Sequence, residues 1–432
     1  MHASPTPQPA ARAVNTDVPP RSVKTAVIVC DAADGKGGAN IAAIRSAIIL
    51  ANGGLNVRLF AATGPFHSPE PVPDNLTIVT LEDGLDLIRA PLLTRATRSM
   101  WNSPAADAFL SFVSDLDPAE TVVHVHGFQV QLTAAVVRAA LDKGFQVVMT
   151  SHDYGLACPY SGFLNYNTSM PCGKRALSIG CMTTLCTQGR SIPGKAWHMV
   201  KGGLQRSKGR VPKGIAHFIF VSDFSRQILK SYLPAAARTS IVGNPLDLPK
   251  ELPRRLQANA PFLYVGRLSS EKDPEIAAQA AAHLGVPLLI AGSGSLEEAV
   301  REANPQAQML GWQTPDQIRE LMLRSRALVF PSRCYEGQPL SVQEALSVGL
   351  PVITTDICAA TEVVRHESNG LVFRTGDLDD LCAQMATMQD DAVAERLGAA
   401  AYEAFWSEPP SAERHLRETL AVYEEVLQSP KG

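Results

Sequence analysis

The stretch from residue 329 to residue 345 reads Val329-Phe-Pro-Ser-Arg-Cys-Tyr-Glu336-Gly337-Gln-Pro339-Leu340-Ser341-Val-Gln-Glu344-Ala345. It begins as an apolar strand, breaks at a Glu-Gly turn and continues as a helix. Proline suits the first position of that helix, because its missing N–H is one that no helix would use. The N–H groups of Leu340 and Ser341 then point outward at the positive end of the helix dipole. The stretch therefore predicts a strand–turn–helix unit whose turn can bind a diphosphate.

Two glutamates, Glu336 and Glu344, lie on either side of this helix start. A carboxylate would repel a pyrophosphate, so each is useful only as an acceptor of hydrogen bonds from neutral hydroxyls, one of a hexose and one of a ribose. Glu344 lies about one turn beyond the helix start, close enough to share a ligand with Glu336. The pair favours a nucleotide-sugar site. Two surface acids on a capped amphipathic helix are the alternative, and for either glutamate alone that explanation is the better one.

Two earlier apolar strands end in similar turns. The strand that begins at Phe262 leads into a glycine and two cations five residues apart, and the strand that begins at Val286 leads into Gly-x-Gly. Ligands of α/β sheets bind beyond the carboxyl ends of the strands, where these cations would face a phosphate. Three successive strand ends with phosphate and hydroxyl chemistry are stronger evidence than any one motif. The turn residues of these two strands are Gly266, Arg267, Lys272, Gly292 and Gly294.

Four motifs follow one another in this half of the chain: Gly266-Arg267-x4-Lys272, Ala291-Gly292-x-Gly294, Glu336-Gly-x-Pro339-x4-Glu344-Ala345 and Gly349-x-Pro351-Val352. Their order resembles the retaining glycosyltransferases of family 4, and the motifs are specific in combination. The resemblance covers the chain after its first two dozen residues. It implies the α/β GT-B fold: two Rossmann-like doubly wound parallel-sheet domains face a cleft, and the C-terminal helix crosses back to the first domain.

The resemblance also implies a reaction, in which a hexose moves from a UDP- or GDP-linked sugar to an acceptor hydroxyl with retention of anomeric configuration. Arg267 and Lys272 are expected to neutralise the charge that grows on the departing diphosphate, with help from the helix N–H groups. Such electrostatic stabilisation requires no divalent metal. The Asp-x-Asp pairs at 115/117 and 377/379 are interpreted as helix caps. The expected donor-binding residues are Gly37, Gly38, Gly266, Gly292, Gly294, Gly337, Leu340, Ser341 and Glu344, and the expected catalytic ones are Arg267, Lys272, Glu336 and His152.

Length and composition agree with two domains. The chain has 432 residues, a net charge of −3 and 45% apolar residues, and a domain commonly holds about 100 to 200 residues. No apolar run approaches the roughly 20 residues that span a bilayer, so the sequence predicts a cytoplasmic enzyme. The predicted segments are a disordered tail (1–22), a first domain (23–246) with a Cys-rich basic insertion (154–215), a linker (247–260), a donor domain (261–410) and a crossover helix (411–432).

The first domain alternates short β-rich runs with helical patterns, as a doubly wound sheet requires. A strand at Thr25–Cys30 and a helix at Ala39–Ala51 enclose the sequence Asp34-Gly-Lys-Gly37-Gly38-Ala39. A plain turn would explain those glycines, but the resemblance places Gly37 and Gly38 opposite the donor phosphates. Further strands are predicted at Leu55–Ala61, Leu76–Leu81, Thr121–Val125, Phe145–Thr150 and His217–Val221, and C-terminal helices at Leu378–Met388, Ala392–Phe405 and Ala412–Leu427.

Two histidines lie near strand ends of this domain. His152 follows the strand Phe145–Thr150, and a lone histidine there is usually structural. The family pattern places such a histidine at the reacting face of the donor sugar, so His152 is expected to bind and orient the sugar. His126, near the end of the preceding strand, is a weaker candidate for contact with the acceptor.

The insertion holds half of the eight cysteines of the chain, Cys158, Cys172, Cys181 and Cys186. In a cytosolic protein such a cluster more often binds metal than forms disulfides. No Cys-x-x-Cys pair occurs, although structural zinc sites usually have one. Structural zinc and free thiols therefore stay open as alternatives.

The charged residues of the insertion are all basic. No Asp or Glu lies between Asp153 and Asp223, while lysines and arginines recur. A basic stretch in a mildly acidic protein favours an anionic partner. Anionic lipid headgroups at the inner membrane face, or a polyprenyl-diphosphate-linked glycan acceptor, fit best, whereas nucleic acid is disfavoured because no binding motif is present. A solvated loop is the competing explanation. The residues expected at the acceptor or membrane are Lys201, Arg206, Lys208 and Arg210.

Two other functions remain compatible with these patterns. A sugar-nucleotide epimerase of GT-B architecture would act without an acceptor, and a scaffold would bind a nucleotide sugar without turnover. The presence of all four polar motif residues, Arg267, Lys272, Glu336 and Glu344, argues against a decayed site. The sequence specifies neither the nucleotide base and the hexose nor the acceptor and its linkage.

Overall fold

The computed structural model describes residues 22–35, 37–68, 70–81, 91–186 and 192–429. Apart from Ser22, the predicted N-terminal tail lies outside these ranges. Within them the chain forms two parallel β-sheets with helices packed on both faces, and a short antiparallel pair of strands. The first sheet ends at Ile241 and the second begins at Phe262, so the polar, proline-containing stretch between them joins the two halves.

The first sheet has the strand order β3-β2-β1-β4-β5-β8-β9, with every neighbouring pair parallel. Its central strands are buried on both faces: in β1, Val27 and Val29 pack into one hydrophobic cluster, and Ala26 and Ile28 pack into the other. This is why they are continuous apolar runs in the sequence. The strands are β1 (Thr25–Ala32), β2 (Asn56–Thr63), β3 (Leu76–Thr80), β4 (Thr121–Val125), β5 (Gln146–Ser151), the short β6 (Leu164–Asn165) and β7 (Met170–Pro171) outside the sheet, β8 (His217–Phe220) and β9 (Thr239–Ile241).

The helices of this half cover the two faces of the sheet. The insertion contributes two of them, α5 and α6, which contact each other, and α6 also contacts α4. The helices are α1 (Gly38–Asn52), α2 (Leu92–Arg98), α3 (Ser103–Phe112), α4 (Thr133–Asp142), α5 (Ile179–Thr183), α6 (Ile192–Arg206) and α7 (Asp223–Leu229).

The second sheet has the strand order β12-β11-β10-β13-β14-β15 and is also parallel throughout. Its strands are β10 (Phe262–Val265), β11 (Leu288–Ala291), β12 (Gln308–Gly311), β13 (Leu328–Phe330), β14 (Val352–Thr355) and β15 (Gly370–Phe373). Its helices are α8 (Pro274–Leu284), α9 (Glu297–Ala303), α10 (Pro315–Arg324), α11 (Leu340–Ser347), α12 (Ala360–Val363), α13 (Leu378–Thr387) and α14 (Asp391–Ser407).

The last helix, α15 (Ala412–Gln428), crosses back to the first half of the chain. Its buried residues Val422, Tyr423 and Val426 belong to the same hydrophobic cluster as β1 and α1. A methyl group at Gly53, at the end of α1, would lie 2.6 Å from a side-chain carbon of Leu416. Glycine at this position therefore leaves room for the Leu416 side chain of α15.

One of the two interpretations of Asp-x-Asp pairs is wrong. Asp377 does cap α13, since its side chain accepts a hydrogen bond from the N–H of Asp380. Asp115, in contrast, lies beyond the end of α3, and its two carboxylate oxygens accept hydrogen bonds from Arg58 at 2.8 and 2.6 Å. The bidentate ion pair explains this aspartate without any cap.

The insertion does not gather its cysteines into a metal site. Among the residues with described structure, no group of three or more His, Cys, Asp or Glu side chains is placed to hold a metal ion. The Sγ of Cys181 faces the Sδ of Met199 at 4.0 Å, and the Sγ of Cys186 lies 3.5 Å from the Nζ of Lys195. All four cysteines are free thiols in this structure, which favours the free-thiol alternative over structural zinc.

Within the same described ranges, the helices are all too short or too polar to span a bilayer.

Candidate active site

The carboxyl ends of the two sheets meet at the Glu336–Gly337 turn. A Cβ atom at Gly337 would lie 3.1 Å from Val221, 3.2 Å from Ser225 and 3.5 Å from the carbonyl oxygen of His152, all in the first half of the chain. Glycine thus allows the turn after β13 to pack directly against the loop after β5. The structure thereby brings together His152 and Glu336, which are far apart in the sequence.

Lys272 and Glu336 form an ion pair at this junction, between Nζ and Oε1. The Glu336 carboxylate also accepts hydrogen bonds from the Ser332 hydroxyl at 2.8 Å and from the Cys334 thiol at 3.3 Å. Both charged side chains are largely enclosed, 23% exposed for Lys272 and 17% for Glu336. The sequence predicts both residues for the site but with separate partners, a phosphate for Lys272 and a sugar hydroxyl for Glu336.

The pKa values of the pair show how strongly the two charges support each other. Burial disfavours the charged form of Lys272, yet the Glu336 carboxylate outweighs it and raises the pKa of Lys272. Burial likewise opposes ionisation of Glu336, but Lys272 and the hydrogen bonds from Ser332 and Cys334 lower the pKa of Glu336. Both residues are therefore charged at neutral pH, ready to bind opposite charge or hydroxyls.

Arg267 lies at the edge of the same loop and is 68% exposed. Its guanidinium contacts the Glu271 carboxylate at 3.1 Å, and Glu271 also accepts a hydrogen bond from the Ser269 hydroxyl at 2.7 Å. Exposed ion pairs contribute little to stability and exchange partners easily. Arg267 can therefore turn towards a ligand, whereas Lys272 is held in place.

Two predicted donor-binding glycines, Gly292 and Gly294, have a structural explanation. Gly292 has φ +149°, and a Cβ there would lie 1.8 Å from the carbonyl oxygen of Gly266. A Cβ at Gly294 would lie 2.3 Å from the carbonyl oxygen of Leu268. Close contact between the loops after β10 and β11 therefore requires glycine at both positions, whether or not a phosphate binds there.

The helix after Pro339 begins one residue later than predicted. Pro339 is the N-cap of α11, with extended backbone angles, and Leu340 is the first helical residue. Leu340 and Ser341 thus occupy the first two helical positions, whose N–H groups have no partner inside the helix. Burial raises the pKa of Glu344 on this helix, and the charge of Arg45 on α1 opposes that shift.

Gly37 and Gly38 form the start of α1 in the first half of the chain. Gly37 is the N-cap with φ +80°, and no side chain caps the helix. A Cβ at Gly38 would meet no described atom within 4 Å, and one at Gly37 would meet only the Asn40 side chain at 3.9 Å. These glycines border open space, unlike Gly292 and Gly294, so a ligand can approach their backbone.

His152 is half-buried and continues a row of two buried imidazoles, His124 and His126. Its Nε2 lies 2.9 Å from the Nδ1 of His126, and His124 next to them contacts Tyr423 at 2.7 Å and Thr150 at 2.6 Å. Burial lowers the pKa of His152 to about 4 and the pKa values of His124 and His126 well below their usual value. The imidazoles are therefore neutral at physiological pH.

His126 is only 6% exposed and stacks on the His152 ring with 5.2 Å between ring centroids. Contact with an acceptor would require the ring to reach solvent. His126 is thus placed to hold the neighbouring His152 ring, and its contact with an acceptor stays a prediction. Such a supporting partner fixes the orientation of the neighbouring imidazole.

These histidines predict that the free energy of unfolding falls on acidification. Below about pH 6.5 the unfolded chain protonates His124, His126 and His152, whereas the folded protein keeps them neutral to far lower pH. Acids whose pKa the fold raises, among them Asp153 (to about 6) and Glu344, act in the opposite direction, but the lowered pKa values of His217 and His415 add to the fall. Urea unfolding at about pH 7.5 and about pH 5.5 measures the difference. Equal stability at the two pH values would contradict the neutral assignment of the histidines.

Sequence reasoning missed Asp31, at the carboxyl end of β1. Its carboxylate accepts hydrogen bonds from the N–H groups of Val130 at 2.9 Å, Gln131 at 2.8 Å and Leu132 at 3.0 Å. It thereby shapes the loop after β4, which lies beside the His152 loop. The signal was an acid directly after a buried strand, a position where ligand-binding residues gather.

The four cations predicted for acceptor or membrane do not form one patch. Lys201 and Arg206 line a cavity between α6 and the loops after β4 and β5. Lys208 instead stacks over the Trp101 ring at 4.1 Å, and Arg210 is exposed with φ +55°. The structure therefore separates the first two from the last two, which do not line the cavity.

Comparisons with known proteins show which family the second half of the chain is similar to. Residues 254–404 match the model of the family described as glycosyl transferases group 1. The chain is 31% identical over 147 residues to the UDP-Gal:alpha-D-GlcNAc-diphosphoundecaprenol alpha-1,3-galactosyltransferase of Escherichia coli. That alignment covers 31% of this chain and 37% of the relative, so the chain spans less than half of the relative's length.

Solved structures match over nearly the whole chain. Sucrose-phosphate synthase from Thermosynechococcus elongatus superimposes with a TM-score of 0.68 at 18% identity, covering 93% of this chain and 99% of that one. Anabaena HepE in complex with UDP and glucose superimposes with a TM-score of 0.62 at 15% identity, covering 93% and 100%. The GT-B fold predicted from the sequence is confirmed, including the crossing helix α15.

Proposed function

We propose, because residues 254–404 match the group 1 glycosyltransferases, that this protein transfers a hexose from a nucleotide-diphosphate sugar to a hydroxyl of a glycan or lipid-linked glycan. The transfer retains anomeric configuration and needs no divalent metal. The observation that carries the proposal is the Lys272–Glu336 pair, which is enclosed, charged and held against the His152 loop. A cation and a carboxylate that can accept a hydrogen bond from a sugar hydroxyl thus lie together where the two sheets meet.

In the proposed mechanism, Lys272 exchanges Glu336 for a phosphate oxygen of the donor, and Arg267 leaves Glu271 to join it. The freed Glu336 carboxylate then accepts a hydrogen bond from a sugar hydroxyl. As the bond from the anomeric carbon to the diphosphate oxygen breaks, the acceptor oxygen bonds to the same face of that carbon. The acceptor proton passes to the departing diphosphate. Positive charge fixed in advance at the leaving group lowers the barrier without reorganisation.

The contacts that the two Asp-x-Asp pairs already make support a transfer without a divalent metal. Asp115 is bound to Arg58, and Asp377 caps α13. With one carboxylate of each pair already engaged, neither pair is poised to chelate a diphosphate-bound cation, and Lys272 supplies the positive charge instead.

Incubation with labelled UDP- and GDP-sugars and glycan acceptors tests the proposal. We expect transfer that persists in excess chelator, with the same anomeric configuration in donor and product. Isomerisation of the donor without an acceptor would favour an epimerase, and binding without turnover would favour a scaffold. Loss of activity in chelator, restored by Mg²⁺ or Mn²⁺, would overturn metal independence.

We further propose a lipid-linked acceptor and peripheral attachment to an anionic membrane. The insertion exposes several large apolar side chains, among them Ile179, Met182 and Val200, next to a stretch without acidic residues. The name of the Escherichia coli relative describes an acceptor linked to diphosphoundecaprenol. Co-sedimentation with anionic but not neutral vesicles, weakened by salt, is the expected result.

A further inference from the structure

A cavity of about 500 Å³ lies between the insertion and the first sheet, and we name it the insertion cavity. Its walls are the loop after β4 (residues 129–131), the loop after β5 (155–161) and the C-terminal part of α6 (197–206), with Arg95 of α2 at one side. These loops follow the carboxyl ends of β4 and β5, the edge of the sheet where ligands bind.

Three cations, Arg95, Lys201 and Arg206, line the insertion cavity, and no acidic residue is among the described residues that line it. Lys201 donates to the carbonyl oxygen of Gln129. The Nη2 of Arg206 is buried and finds no hydrogen-bond partner in the described part of the chain. Buried polar groups are almost always hydrogen-bonded, so this guanidinium nitrogen is available to donate to an anionic ligand.

The environment of Arg206 also favours the binding of an anion. Burial lowers the pKa of Arg206, and the positive charge of Arg175 nearby lowers it further, while Tyr232 opposes this. An arginine that is half buried beside another cation is normally compensated by a carboxylate or a phosphate. The protein provides no carboxylate among the described residues that line this cavity.

The insertion cavity adjoins the candidate active site. Gln129 and Leu156 line both the cavity and a small pocket formed by His126, His152 and Asp153. A ligand held in the cavity would therefore lie next to the loop of His152, the residue expected to bind and orient the donor sugar. Trp197 and the Tyr160–His198 ring pair, with centroids 4.4 Å apart, add flat surfaces suited to a sugar ring.

We propose that the insertion cavity binds a phosphate or diphosphate group carried by the acceptor, with Arg206, Lys201 and Arg95 as its ligands. This inference rests on the proposed function and specifies the acceptor as a phosphorylated one. The anionic group anchors the acceptor, and its hydroxyl reaches the donor sugar next to His152.

Calorimetric titration of pyrophosphate into protein saturated with UDP tests the anion site, because UDP blocks the donor site. We expect binding to the wild type, and at least about tenfold weaker binding to Arg206→Gln, since charge-assisted hydrogen bonds are the strong ones. Arg95→Gln, an exposed position that leaves the core intact, should weaken binding in the same direction. Lys213→Gln removes an exposed cation of the same insertion outside the cavity and should change nothing. No binding to the wild type, or equal binding to wild type and to both arginine variants, would overturn the proposal.

Transfer assays with two acceptors identify the source of the phosphate. If Arg206→Gln raises KM about tenfold for a polyprenyl-diphosphate-linked sugar in detergent alone, the lipid headgroup occupies the cavity. If Arg206→Gln raises KM only for a soluble sugar 1-phosphate, the ligand of the cavity is a sugar phosphate. A KM unchanged for both acceptors refutes the inference while leaving the transferase function intact. Because pyrophosphate binding requires no turnover, failure of the proposed function would show separately as bound anion without transfer.

Discussion

Replacement of Lys272 by methionine is expected to lower kcat by about a hundredfold or more, while the Kd of the donor rises far less. The lysine meets a diphosphate whose negative charge increases as the glycosidic bond breaks, so its attraction is greater in the transition state than in the bound donor. Removal of one such group commonly costs about 10² to 10³ in kcat. Methionine keeps the apolar part of the side chain but not the charge. Single-turnover kinetics measures the effect on the chemical step, and donor titration measures the effect on the Kd of the donor.

Arg301→Met is a matched control in the same half of the chain, because Arg301 forms an exposed pair with Glu297 on α9. It should leave kcat unchanged. Lys272→Met also leaves Glu336 without its cation, so circular dichroism must show that the variant is folded. If Lys272→Met weakens donor binding as much as turnover, the lysine anchors the ground state and has no special role in the transition state.

Glu336→Gln is expected to reduce turnover more than tenfold in a folded protein. Glutamine preserves the shape but replaces a charge-assisted hydrogen bond, worth roughly 1.5–3 kcal/mol, by a neutral one. It also removes the carboxylate that raises the pKa of Lys272, so burial and the positive charge of Arg267 then lower that pKa with much less opposition. The lysine in the variant should titrate at lower pH than in the wild type. Turnover at the wild-type rate would refute the assignment of Glu336.

A double-mutant cycle tests whether the two residues act as a unit. The mechanism replaces the contact between Lys272 and Glu336 by contacts of both residues with the donor. The effects of Lys272→Met and Glu336→Gln on kcat should therefore not add, because each variant already disrupts the same arrangement. Strict additivity would mean that the two side chains act independently on the donor.

Much of the fold was predictable because its signals are local. The strands β4 and β10 were recognisable because a strand that is buried on both faces is a continuous apolar run in the sequence. The last helix was predicted to begin at Ala412 and to end at Leu427, and α15 begins at that residue and ends one residue later, at Gln428. The order of turn motifs after the strands of the second sheet then indicated the arrangement of the domains. These features depend on neighbours in the sequence, which a single chain reveals.

The features that escaped prediction depend on contacts between distant residues. The pairing of Lys272 with Glu336 joins loops after different strands, and the His126 ring is stacked on His152, which comes from the loop after β5. Gly292 was assigned to a phosphate, although crowding by the Gly266 carbonyl explains it. The division of the basic insertion between cavity and surface likewise follows from how α6 packs.

The crossing of α15 also sets the order in which the protein can fold during synthesis. Val422, Tyr423 and Val426 complete the hydrophobic cluster of β1 and α1, yet they are translated after the entire second sheet. At about 5–20 residues per second the ribosome needs roughly 10 to 35 seconds to make the chain between the end of the first sheet and α15. During that interval the nascent first half exposes the apolar groove that α15 later fills, so chaperone binding there should end only when the C-terminus emerges.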